Sequence, residues 1–496
     1  MRWMNPFVLA AIAALGVAPP AVAADSGAFV VTIAAPLAAP SGGRLVILFS
    51  QKPPGPSGAV RVDDLHPEAV FVTSIDVRSV AAGSTITVPF GSPGFPDRPS
   101  QAPAGTYNIT AYLDVNRHFA YSGAEPNDLA GPTVRDVDIT PNATIAVTLD
   151  HVVPQAEVTH PVNVTPVEFA SPALSQFAGH AVMLHAVVVA PPGASPSLTY
   201  PTSYMIGGFG ATQNSNLRQA SRLASDVKAG TMPQMFYVLL DPSAPTGHDV
   251  FADSDNNGPY GRALTTEFIP FLESRFPGMR SSAGDRFLTG HSSGGWSTLW
   301  LQVTYPDVFG GTWSTSPDPV DFHSFTGPNL FTDGNFYHRP DGTAYNLIRD
   351  HGRDVMTLRD SIRLEDVEGA SGGQFRSFDA VFSPRGADGK PEELFDHVTG
   401  EIHPAVAHAW ERYDIATILR ANWPVLGPKL AGKIHIIVGT ADTFHLNEAV
   451  ALLATELQSL GSDAKITFLA DRDHFDLYRG GLQAQIANEM IAAAKP

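Results

Sequence analysis

Residues 287–311 read FLTGHSSGGWSTLWLQVTYPDVFGG: a short apolar run, a glycine-rich turn with two adjacent serines, and a second apolar run. The residues before the turn, DRFLTG, have the length and pattern of a buried strand. After it Trp296, Leu299, Trp300 and Val303 fall at i, i+3, i+4 and i+7, the buried stripe of a helix. The serines therefore sit on a strand–turn–helix junction. Only one frame fits G-x-S-x-G, namely Gly290-His291-Ser292-Ser293-Gly294. Side chains at the glycine positions would collide with the neighbouring strand and helix. Centring the motif on Ser293 would put His291 where a glycine is needed, so Ser292 is the candidate nucleophile. The backbone N–H of Ser293, at the helix start, can donate to an oxyanion.

A serine hydroxyl alone is a poor nucleophile near neutral pH, so a base must follow, and an acid must orient the base. KIHIIVGTADTFHLNEAV reads as a strand ending at Gly439 and Thr440, then a loop carrying Asp442, then a helix over 446–461. AKITFLADRDHFDLY is a strand followed by a loop carrying His474. The order Ser292, Asp442, His474 places each residue just past the C-terminal end of a strand, where open α/β sheets place their sites. His445 is a rival base, and Asp471, Asp473 and Asp476 are rival acids too close in sequence to reach around the imidazole. His291 and His435 read as local or structural. YMIGGFGAT supplies glycines after an early strand, with the N–H of Phe209, or of Gly208 as fallback, expected to complete an oxyanion hole with Ser293.

YMIGGFG, FADSDNNGPYGRALTTEFIPFLESRF, the elbow stretch and VGTADTFHLN with DHFDLY together resemble a bacterial esterase family. That family has the α/β-hydrolase fold and includes feruloyl and acetyl-xylan esterases, S-formylglutathione hydrolases, enterochelin-type esterases and mycolyltransferases. The resemblance spans about 172–496 and implies Ser292, Asp442 and His474 as a triad. No cofactor and no metal are expected, because nucleophile, base and oxyanion donors all come from the chain. The stretch 318–430, rich in Phe, His and Asp, exceeds a minimal connection and is expected to cover the site.

The rest of the chain sets the context. At 496 residues it is too long for one core, so two domains are expected. A formal charge of −18 without a Lys/Arg-rich run disfavours a nucleic-acid partner. Residues 1–24 combine Arg2, a twelve-residue apolar run and AVA, and read as a signal peptide; the run is too short to span a membrane. With no cysteine, this suggests a secreted or periplasmic bacterial protein in which the sequons at Asn108, Asn142 and Asn163 go unused.

Seven short strands with turn signals over 25–150 predict an antiparallel β-sandwich, and 151–172 reads as a proline-rich linker to the α/β-hydrolase domain at 173–496. Asp114, Asn116 and Asp128 read as turn residues rather than a calcium loop. Asp253, Asp255, Asn257 and Gly258 begin like an EF-hand, but position twelve is Leu264, where the pattern needs a bidentate Glu. DSDNNG instead precedes a helix over 259–276.

Two function classes follow. One is a secreted serine esterase acting on a small-molecule or polysaccharide-linked ester, with acylated plant polysaccharide ahead of a siderophore ester. The other is a catalytically silent envelope or carbohydrate-binding protein. An acyltransferase could use the same triad.

Overall fold

The computed structural model describes residues 27–494 except 40–41, 64, 116–122, 156–158 and 370–371. The leader read over 1–24 and Asn116 lie outside the described residues.

The catalytic half is built on one eight-stranded sheet: β1 (Val164–Ala170), β2 (Met183–Val189), β3 (Thr202–Ile206), β4 (Phe236–Leu240), β5 (Arg286–His291), β6 (Gly311–Thr315), β7 (Ile434–Gly439) and β8 (Lys465–Leu469). Their spatial order is β1-β2-β4-β3-β5-β6-β7-β8. β2 runs antiparallel to both neighbours, and β3 to β8 are parallel. The central strands are apolar on both faces because helices cover both, the pattern of an α/β-hydrolase sheet. α1 (Gln213–Ala229) opens with a capping box at Thr212 and Ser215 and closes at left-handed Gly230. α2 (Ser293–Thr304) follows β5 directly, and all its residues from Ser293 to Val303 are buried.

The stretch read as a linker over 151–172 instead contains β1. Pro166 is tolerated there because β1 is an edge strand, where a missing N–H breaks no inner ladder. The helix expected over 259–276 spans Tyr260–Arg275 with a π-helical segment at Leu264–Phe268, and Leu264, Phe268 and Leu272 are all buried.

All seven strands read over 25–150 are present, but they do not make a purely antiparallel sandwich. Strand Ala28–Ile33 pairs antiparallel with Thr85–Pro89 and parallel with Thr144–Leu149. A second, seven-stranded sheet centres on Gly43–Ser50 and Gly105–Asp114. Sequence pattern could not show the parallel pair, because alternation reports which face is buried and not which way a neighbour runs.

The larger amino-terminal sheet is buried on both faces. Leu45, Ile47 and Phe49 pack toward the three-stranded sheet with Phe29, Val31 and Val147. Val46 and Leu48, on the opposite face, share a core with Phe95, Tyr112 and the catalytic half. The amino-terminal region is thus a middle layer rather than a tethered module.

At the elbow the backbone spacing tolerates only glycine. A Cβ on Gly294 would lie 2.0 Å from the carbonyl oxygen of Ile206 on β3, and one on Gly290 would lie 2.2 Å from the carbonyl oxygen of Gly294. Gly294→Ala is expected to cost about 3 kcal/mol, whereas Gly91→Ala, with nothing within 4 Å of the added carbon, should change stability by less than about 0.5 kcal/mol. Urea midpoints of the two variants test the contrast.

Candidate active site

Ser292 occupies the turn between β5 and α2 with φ 59° and ψ −127°, a conformation disfavoured for any residue with a Cβ. Its N–H donates to the Thr315 carbonyl at 3.0 Å, and its carbonyl accepts from Trp296 and Asp318. These bonds tie the strained residue to both neighbouring elements. The Ser293 N–H belongs to the first turn of α2, where backbone donors lack intrahelical partners. Gly208 passes directly over Ser292: a Cβ there would stand 3.2 Å from the Ser292 Cβ. The loop carrying Phe209 therefore lies against the serine, and Phe209 lines the same cavity.

Asp442 and His474 meet as the sequence order suggested. His474 Nδ1 lies 2.9 Å from Asp442 Oδ2, with both side chains buried. Asp442 Oδ1 accepts from the N–H groups of Phe444 at 3.0 Å and Leu446 at 3.3 Å. Burial would raise the Asp442 carboxyl, but the His474 imidazole, with the Ser316 hydroxyl and the Phe444 N–H, outweighs it and holds it below the usual carboxylate range. Ser292, His474, His291 and Phe209 line a single cavity of about 440 Å³.

The rivals are engaged elsewhere. His445 sits between Glu448 at 3.3 Å and Asp354 at 3.5 Å. Asp476 pairs with Arg472 and Arg479, while Asp473 accepts from the N–H groups of Phe475 and Asp476. His435 stacks on Trp313 with centroids 4.3 Å apart. The His291 ring lies tilted against His474 with centroids 4.4 Å apart, and burial, with the neighbouring His474, lowers its pKa to about 3. It therefore stands beside His474 as a neutral ring.

The two calcium-like stretches also bond within the protein. Asp253 accepts from the Arg262 N–H and the Tyr305 hydroxyl, and Asp255 pairs with Arg412. Asp128 accepts from the N–H groups of Val115 and Glu125, as a turn residue does.

Sequence reasoning missed two residues. Asp318, three positions past β6, receives a hydrogen bond from the Ser292 hydroxyl at 3.4 Å and another from the Ser293 hydroxyl. Burial raises its pKa to about 6, against the opposing pull of the Ser293 hydroxyl, His474 and Ser292. Arg349 comes from the hairpin Asn346–Asp350/Arg353–Thr357. It donates to the carbonyls of Asp442 at 2.7 Å and Thr440 at 3.1 Å, and to Asn447 Oδ1 at 2.9 Å. No local pattern could have found either, because both act across sequence separations set by the fold.

The sequence profile of the family described as "Putative esterase" matches residues 183–459, more than half of the chain. The chain belongs to this esterase family. Among solved structures similar to the esterase is a ferulic acid esterase at 12% identity and TM-score 0.42, covering 67% of this chain and 98% of that one. An S-formylglutathione hydrolase from Agrobacterium tumefaciens shows 14% identity and TM-score 0.40, covering 67% and 95%. The serine hydrolase FphF of Staphylococcus aureus, substrate bound, shows 14% identity and TM-score 0.40, covering 66% and 98%. No curated protein sequence matches this esterase.

Arg349 holds the acid loop from outside the catalytic sheet. Arg349→Ala is expected to lower stability by about 2 kcal/mol and to speed amide hydrogen exchange selectively in residues 440–447, measured by mass spectrometry.

Proposed function

We propose that this esterase is a serine carboxylic-ester hydrolase exported from a bacterial cytoplasm. The observation that carries the reading is the buried 2.9 Å His474–Asp442 bond in the same cavity as the strained Ser292. Ser292 Oγ attacks the ester carbonyl carbon while its proton passes to His474 Nε2. Asp442 holds the other ring nitrogen, fixes the tautomer and stabilises the imidazolium. The N–H groups of Ser293 and Phe209, with Gly208 as the alternative second donor, take up the charge on the carbonyl oxygen. Collapse expels the alcohol, which receives the proton from His474. Water, deprotonated by the same imidazole, then hydrolyses the acyl-enzyme and restores the serine.

The resting hydroxyl is bonded to Asp318, so acylation begins with its release from that carboxylate. An ionised Asp318 then remains near His474 as the ring becomes positive, and the two charges attract. The carboxyl titrates near pH 6, so lowering the pH through that region removes this help.

Ser292→Ala should reduce hydrolysis of 4-nitrophenyl butyrate on the order of 10⁴-fold or more and abolish labelling by a serine-directed phosphonate. Retained turnover in the folded variant would remove the nucleophile assignment. For the wild type, kcat/KM should rise as the pH is raised through about 6, where Asp318 ionises. Asp318→Asn keeps hydrogen-bonding groups beside both serines and should flatten that rise while lowering kcat/KM on its alkaline side. An unchanged pH profile would leave Asp318 a purely structural role.

A further inference from the structure

The amino-terminal sheets contribute directly to the cavity. Val62 and Pro67 lie in the connection between strands Gly43–Ser50 and Phe71–Val77, and Glu125 lies in the turn before Leu129–Ala130. All three line the cavity that holds Ser292 and His474. They come from well before the segment matched by the esterase family.

This wall is firmly seated. Val62 is buried within the core shared by the two halves. Nearby, the Val60 N–H donates to Thr110 Oγ1 at 2.9 Å. The larger amino-terminal sheet also grips α3 (Leu358–Glu368), which supplies Leu364 and Glu365 to the same cavity. Arg44 and Ser74 donate to the Val367 carbonyl, and Arg363 donates to the Pro96 carbonyl at 2.7 Å. The wall and α3 therefore hold a fixed spacing.

The lining also has a definite chemistry. Leu347, Ile348, Met356 and Phe375 from the 318–430 segment make it largely apolar. Its acidic members are Glu125 and Glu365, and among the described residues no Lys or Arg lines it. Glu365 is buried and accepts from the N–H groups of Phe375 at 3.1 Å and Arg376 at 2.9 Å. An apolar substituent entering here gains about fourfold in binding for each CH₂ buried.

We propose that the amino-terminal sheets are a built part of the substrate site: Val62 limits the size of the apolar ester substituent that the cavity takes. The proposal rests on reading this cavity as the ester site around Ser292.

The test compares the full-length wild type with Val62→Trp and Val62→Ala. Substrates are 4-nitrophenyl esters from acetate to octanoate. Two alkyl acetates, ethyl and hexyl, probe the alcohol side. Phosphonate labelling counts functional sites, so misfolded molecules do not enter the rates. In the wild type, kcat/KM should rise with substituent length. Val62→Trp should depress the long members of at least one series tenfold more than the short ones. Val62→Ala should move the optimum toward longer substituents. Labelled proteins that share one length profile in both series would overturn the wall. No labelling of any of the three would overturn the Ser292 reading and the wall together.

Discussion

The chain passes from β5 into α2 so close to β3 that the Ile206 carbonyl occupies the space a side chain on Gly294 would need. That contact makes the turn tight and leaves Ser292 at φ 59°. A residue held this way cannot relax into the helix or the strand, so its hydroxyl stays at the sheet's C-terminal edge. The loops after β6, β7 and β8 then only have to reach that edge. Asp318, Asp442 and His474 arrive there, one from each loop.

Burial of charge at the edge is arranged so that each group has a partner. Asp442 receives one imidazole and two backbone donors. Asp318 receives two serine hydroxyls, which oppose but do not cancel its desolvation. The two acids consequently sit on opposite sides of their ordinary pKa, one poised to stay ionised and the other to titrate near neutrality. Paired carboxyls driven apart by their surroundings are a recurring way for one site to hold distinct protonation states.

Much of this was legible in the sequence. The elbow turn and the two loops that bring Asp442 to His474 were readable because each combines a local motif with a strand end. The glycines at 207, 208 and 210 marked the loop that lies against Ser292. Asp318 was not readable: a lone Asp after SP looks like any loop acid until β6 brings it beneath the serine. Arg349 was hidden for the same reason, since its acceptors lie about 90 positions away. The strand Val164–Ala170 was masked by Pro166 and read as part of a linker, because proline is excluded from inner strands but not from an edge.

The sequence by itself determined the catalytic half: hydrophobic periodicity and turn glycines are local properties, and they dictate strands, helices and the order in which chemistry-bearing loops appear. Tertiary structure alone decided how the amino-terminal strands are used. Gly43–Ser50 is apolar on both faces, and a pattern of that kind states that both are covered without naming the cover. One face meets the small sheet, and the other meets the catalytic half. That choice carries Val62 to the cavity, since contacts between distant segments depend on which surfaces fit together when the chain closes.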